Sequence, residues 1–385
     1  MNVQEILSKL VSFPVLGGES NAEIARWIED YLREHGVEFK NVRDDAQNKR
    51  SIHCRIGPSV DGGIVLSGHM DVVPVEGQVW DTDPFVLTDR GDGNLYARGS
   101  CDMKGFIACC LAVLPEMLAA DLKKPIYFAF SYDEEVGCLA APALAADIMT
   151  HYPEKPNYAL IGEPSMMQPV VGQKGIVIYK TTVNGSAGHS SRIKTEVSAI
   201  FEASRMIMWL ENKMNELIES GHIDERFSPA HTSIHSGVFE RSGIAPNVVS
   251  DNAVFYWDVR VIPMDKGSEI KAEFQEYCKG LMKEKQKIFP DFKVVTEDAH
   301  SDVPPLDTPA HLEVVSLIKE LSGIDKLETV SYAAEAGQFA EAGFQSVICG
   351  PGDIAQAHRA NEFVSKEQLQ LGVEMIQRLV GKWSE

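Results

Sequence analysis

The chain lacks any apolar run of the roughly 18 or more residues that a membrane-spanning helix needs. Residues 1–10 carry acids and polar groups where a signal peptide would be basic and then uniformly apolar. Cysteine is scarce: there are seven, an odd number, and Cys109 and Cys110 are neighbours in an apolar stretch rather than members of a disulfide framework. A reducing, cytoplasmic setting is expected, with no membrane partner. Basic charge is short as well, with 36 Lys plus Arg against 56 Asp plus Glu and a formal net charge of −20. Such a field repels phosphate backbones, so no nucleic-acid partner is expected. Internal repeats, low-complexity segments and heptads are missing too.

What remains is ordinary globular composition, 44% apolar and 24% charged, over 385 residues. That is longer than one hydrophobic core usually grows, so two domains are expected. Val3, Ile6, Leu7, Leu10 and Val11 stand at helical spacing before Phe13-Pro14, and Ile24, Trp27, Ile28, Tyr31 and Leu32 repeat the pattern. Four short unbroken apolar runs follow, at 64–66, 126–130, 159–161 and 347–349. They suit strands buried on both faces. Helical stretches at 106–118 and 142–149 separate the first three, which predicts an α/β fold with a central mixed, largely parallel sheet.

From Gly175 the texture changes. Ile176, Ile178 and Lys180 alternate with Val177, Tyr179 and Thr181, a helix-like stretch covers 195–219, and strands are expected at 254–262 and 292–296. Residues 175–298 therefore read as an inserted, smaller α+β domain, and 1–174 with 299–385 as a discontinuous main domain. The segment 297–308, with its prolines, is the expected return linker.

Each buried run ends in chemistry. Leu66 leads into Ser67-Gly68-His69-Met70-Asp71, Phe130 into Asp133-Glu134-Glu135, Ile161 into Gly162-Glu163, and Cys349 into Gly350-Pro351-Gly352 and on to His358. In an open α/β sheet, ligands gather outside the carboxyl ends of the strands, so these exits should converge. Asp102 lies in a glycine-flanked segment, 99–105, before an apolar helix. Packing several acids and histidines into one crevice is costly unless cations compensate them, which points to bound metal. Two imidazoles and three carboxylates suit two Zn²⁺ ions, with Co²⁺ or Mn²⁺ as substitutes, and Asp102 is the expected bridge. Each residue alone has a plainer reading. Asp102 could cap a helix, Glu134-Glu135 could be a solvated turn, Asp71 a turn residue and His189 a loop histidine.

The segments around His69, Asp102, Glu134-Glu135, Glu163 and His358 resemble the M20 family of zinc amidohydrolases and peptidases over nearly the whole chain. The resemblance implies a zinc-peptidase-like catalytic domain plus a dimerisation or lid domain. It implies one metal on His69, Asp102 and Glu163, a second on Asp102, Glu135 and His358, and Glu134 as general base. Asp71 is then expected to accept the other imidazole N–H of His69 through its carboxylate. The resemblance further implies a homodimer, with His189 holding the developing oxyanion in its own or the partner subunit's site. It places Asn247 and Arg260 near substrate, although the stretch near Ser250 departs from the family pattern, and Lys174 is a further candidate for substrate contact. The segments 332–337 and 349–358 look most like family members that remove the acetyl group from N2-acetyl-L-ornithine, a step of arginine biosynthesis. Glu335 would then favour the cationic amine of that substrate. Desuccinylase, aminoacylase and dipeptidase activities are the alternatives within the same chemistry, and a non-catalytic metal-binding dimer is one of a different class.

Overall fold

A computed structural model describes residues 1–385, the side chains of Arg241 and Ser242 excepted. The chain divides into two compact units, one of 1–172, 306–329 and 334–385, the other of 173–305 and 330–333.

The first unit is built on a mixed sheet. Its four inner strands, Ile126–Ser131, Ile64–His69, Tyr158–Ile161 and Gln345–Ile348, lie in that order and are mutually parallel. These are the four unbroken apolar runs of the sequence, and nearly all of their residues are buried, as strands covered on both faces must be. Antiparallel strands Lys49–Ile56 and Phe39–Asp44 extend one side, and Val170–Gln173, antiparallel to its inner neighbour, with Leu306–Asp307 beyond it extends the other. The hairpin of Phe39–Asp44 and Lys49–Ile56 escapes a sequence reading because its outer strand is half exposed and mixes charged with apolar residues. Helix Lys104–Ala119 is apolar on every side and buried along most of its length, whereas Ala22–Glu34 keeps a charged outer face. The close fit between layers shows at Gly162, where an added Cβ would sit 2.0 Å from the Phe106 ring; only glycine lets this strand exit pass the helix.

The second unit is an antiparallel sheet ordered Ser233–Ser242, Asn252–Val261, Gly175–Asn184, Lys293–Asp298. Val177, Tyr179, Thr181 and Val183 face its core while Ile178, Lys180 and Thr182 are half exposed, the period of two that the sequence displays. Buried residues of helices Ala199–Glu219 and Gly267–Lys285 join Phe255, Trp257 and Phe292 in that core, and Trp257 donates its indole N–H to Thr181 Oγ1 at 3.0 Å. The long helix starts at Ala199 rather than 195, because the Ser198 hydroxyl caps it by accepting from Phe201 N. The segment 297–308 is not a plain linker. Val303 and Ile176 exchange two main-chain hydrogen bonds, which keeps residues up to 305 with the second unit. No helix among the described residues is long and apolar enough to cross a membrane.

Candidate metal centre

The parallel strands end on one side of the sheet, and their order places Glu134-Glu135, His69, Glu163 and the His358 loop next to one another. His69 is the last residue of its strand and is buried. Its Nδ1 donates to the Asp71 main-chain carbonyl at 3.0 Å, which turns Nε2 towards the acids. That Nε2 lies 3.1 Å from Asp102 Oδ1, 3.8 Å from Glu163 Oε1 and 4.0 Å from Glu134 Oε2. The other oxygen of Asp102 lies 3.4 Å from His358 Nε2, which in turn is 3.0 Å from Glu135 Oε2. One carboxylate thus faces two imidazoles, one through each oxygen.

The electrostatics match that crowding. Burial pushes the carboxyls of Glu134 and Glu163 well above their ordinary range, and neighbouring acids push them further; Glu135 is raised for the same reasons. Burial acts on Asp102 in the same direction, but hydrogen bonds from both histidines win and hold it far below the usual range. Burial disfavours the His69 cation, yet the surrounding carboxylates outweigh it and hold the ring well above its usual value. His358 is raised to about 10 by its bonds to Asp102 and Glu135. Acceptors this close need a positive charge between them, either protons or metal ions. His69 with Asp102 and Glu135, and His69 with Glu134 and Glu163, each bring their donor atoms within 4.8 Å of one another, so the nitrogen and oxygen set fits divalent cations. These groupings differ from the expected triads: Glu135 joins His69 and Asp102 in one, and Glu134 replaces Asp102 beside His69 and Glu163 in the other.

Asp71 departs from its expected role. Its carboxylate is 3.7 Å from His69 Nδ1, and instead accepts the main-chain N–H groups of Glu134 at 3.2 Å and Glu135 at 3.1 Å. The backbone carbonyl fixes the histidine, and the side chain fixes the two glutamates. Asp133 secures the same turn from the other side, in a left-handed conformation (φ 56°), with Lys49 Nζ at 2.6 Å and Gly18 N–H at 2.9 Å on its carboxylate. Asp133 stands out in the sequence only as part of the acidic strand exit, without this anchoring role, and a charged residue opening an otherwise buried strand is the one signal that Lys49 offers.

Glu335 belongs to this unit but is not at an open crevice. It is buried, 3.5 Å from the Ser67 hydroxyl and beside that of Ser131, and burial raises its carboxyl to about 7. The remaining candidates belong to the second unit. His189 pairs in a short ladder with Val248, and Ser190 N–H donates to Asn247 O at 3.0 Å, so His189 and Asn247 are neighbours there. His189 Nδ1 accepts from Ser191 N–H, which puts the ring proton on the exposed Nε2. Arg260 commits its Nε to Asp258 at 3.0 Å, and Lys174 is buried with Nζ donating to His231 O at 2.6 Å.

Residues 65–382 match the family model described as peptidase family M20/M25/M40, and the chain belongs to that family. It is a metal-dependent amidohydrolase or peptidase. It is 33% identical over 368 residues to an acetylornithine deacetylase of Myxococcus xanthus, covering 94% of this chain and 92% of the relative. It is 29% identical to that of Shigella sonnei (strain Ss046), over 98% and 96% of the two chains. Among solved structures, an M20 family metallo-carboxypeptidase of Sulfolobus solfataricus aligns with TM-score 0.77 at 16% identity over 100% of this chain and 99% of that one. An aminopeptidase of Bacillus cereus ATCC 10987 gives 0.76 at 18% over 100% and 98%. These likenesses establish the shared fold.

Asp71→Asn leaves a single side-chain acceptor for two backbone donors. A buried donor left unpaired costs about 1–3 kcal/mol. Peptides covering 132–138 should then exchange amide hydrogens at least about tenfold faster in mass-spectrometric hydrogen exchange, with the distant strand Lys293–Asp298 unchanged.

Proposed function

We propose that the protein removes the acetyl group from N2-acetyl-L-ornithine, with two divalent ions, zinc or cobalt, held by His69, Asp102 and Glu163 and by Asp102, Glu135 and His358. The observation that carries the chemistry is Glu134, a nearly buried carboxylate lying 4.0 Å from His69 and beside, rather than within, the tightest contacts of the cluster. The ions supply a polarised scissile carbonyl and a water of lowered pKa. Glu134 takes the proton of the attacking water as the new C–O bond forms. It then gives that proton to the departing nitrogen as the C–N bond breaks, leaving a carboxylic acid and an amine, and the acid's proton passes on to give a carboxylate and an ammonium ion. A raised carboxyl pKa suits both halves of that transfer. Cys138 Sγ–H donates to Glu134 Oε1 at 3.3 Å, which leaves Oε2 to face the cluster. His189, protonated on Nε2, has the donor that a developing oxyanion requires.

The acetylornithine reading is supported by relatives of that name at 28–33% identity over most of the chain. Structural neighbours include a tripeptidase and a dipeptidase, so substrate choice needs its own support. Glu335 provides it: a buried carboxylate held only by the neutral hydroxyls of Ser67 and Ser131 is a natural receiver for a substrate ammonium. Homodimer formation is supported by the second unit, where Phe201, Met208, Val238 and Phe239 are exposed on its long helix and on the edge strand Ser233–Ser242. Exposed apolar side chains beside an open sheet edge invite a second copy.

Amine release from N-acetyl-L-ornithine by the cobalt-loaded protein should exceed that from N-succinyl-diaminopimelate. Glu134→Gln should lower kcat by at least about 10³-fold at unchanged metal content; loss confined to KM would sink the base assignment. Glu335→Gln should raise KM for acetylornithine about tenfold or more and leave an uncharged acetylated amino acid unaffected, since one charge-assisted contact is worth about 1.5–3 kcal/mol. In sedimentation velocity, Val238→Asp should convert a dimer to monomer; a monomeric parent protein would rule out the dimer.

A further inference from the structure

Behind the cluster lies a second charged pair that takes no part in the donor set. Arg98 and Glu362 are each about 1% exposed, with Nη1 and Oε2 at 2.7 Å. A buried ion pair by itself adds little stability, because desolvating two charges offsets their attraction. This one is distinguished by what else it holds. Glu362 Oε1 accepts the main-chain N–H groups of Cys101 at 2.9 Å and Asp102 at 3.1 Å. Both oxygens of Glu362 are thereby engaged by backbone and guanidinium. On the far side, Arg98 Nη2 donates to Gln78 Oε1 at 2.7 Å, and Gln78 Nε2 donates to the main-chain carbonyl of His358 at 2.9 Å. Arg98 Nη1 also reaches Arg359 O at 3.3 Å.

The chain of contacts therefore runs from the Asp102 backbone through Glu362, Arg98 and Gln78 to the His358 backbone. Its two ends carry the side chains that meet at 3.4 Å in the centre. The other imidazole needs no such brace. His69 ends a strand paired on both sides, and the Glu163 turn is tied to the same strand by Gly162 N–H donating to Ser67 O at 3.0 Å. His358 stands on a loop beyond the strand Gln345–Ile348, with its side chain 57% exposed and φ at +63°, a conformation that a non-glycine residue holds only when its surroundings impose it.

We propose that Glu362, Arg98 and Gln78 are positioning residues that set the spacing of Asp102 and His358, and thereby govern how tightly the second of the two divalent ions is held. The inference rests on the dinuclear reading above. It assigns different origins to the two halves of the centre: strand ends fix the His69 and Glu163 side, and a side-chain relay fixes the His358 side. Weakening the relay should produce a one-ion form of a correctly folded protein.

Metal-free parent protein, Gln78→Ala, Arg98→Lys and Glu362→Gln would each be titrated with Co²⁺, followed by calorimetry and by the visible absorption of bound cobalt. Gln78 is only half buried, so its alanine variant tests the relay even where a change in the buried pair prevents folding. Supporting contacts behind a ligand are worth about 10–100-fold in metal affinity. The parent should bind two equivalents, and the variants should bind the first unchanged and the second at least about tenfold more weakly. Arg98→Lys keeps the charge but loses the planar fork, and should fall between parent and Glu362→Gln. Two equivalents bound with parental affinity in every folded variant, or both weakened alike, would overturn the relay. A parent that binds fewer than two ions would overturn the dinuclear reading beneath it.

Discussion

The arrangement depends on one carboxylate. Asp102 presents Oδ1 to His69 and Oδ2 to His358, and it alone among the crowded acids is held far below its ordinary pKa. Glu134, Glu135 and Glu163 are all pushed upward, so the cluster as a whole carries more negative charge than its burial tolerates. A fold can keep such a group of acids together only if something positive is shared among them. Two histidines supply part of it; divalent cations would supply the rest at lower cost than a set of protons with no fixed place.

Holding that charge in place is the work of backbone amides and of a few distant charged side chains. Asp71 and Asp133 each anchor the turn of Glu134 and Glu135, one through the N–H groups of the glutamates, the other through Lys49 and Gly18. Glu362 does the same for the Asp102 segment. With Asp71 and with Glu362, a carboxylate beside the cluster fixes the main chain of carboxylates within it. Backbone N–H groups have defined directions, so a ligand's peptide can be aimed without adding another mobile side chain to the centre.

The sheet was legible because its signal is local: each inner strand is a short apolar run ending in glycine, histidine or acid, and parallel pairing needs nothing more than burial on both faces. The clustering of His69, Glu134, Glu135 and Glu163 was legible for the same reason, since all four stand within a few residues of those strand ends. Contacts between sequence-distant side chains were not. Glu362 and Arg98 are 264 residues apart and meet only after the sheet is assembled. The role of Asp71 was misread for a related reason. Its position two residues after His69 suggests a side-chain contact, whereas local geometry lets the nearer main-chain carbonyl take the imidazole and turns the carboxylate across to residues 63 and 64 positions away.

This division bears on how one centre can serve different amides. The relatives and structural neighbours include deacetylases, carboxypeptidases and aminopeptidases on a common fold. Water activation and proton transfer need the same carboxylates and imidazoles whichever acyl group is removed. Discrimination has to come from residues that touch the rest of the substrate, and such residues are free to vary because they do not balance the charge of the centre. Glu335 stands between these classes. It is close enough to the cluster to feel His69 and Asp71, and its other contacts are the hydroxyls of Ser67 and Ser131 rather than a cation. A buried acid in that position is tolerable when protonated and becomes favourable as a carboxylate when a cation arrives.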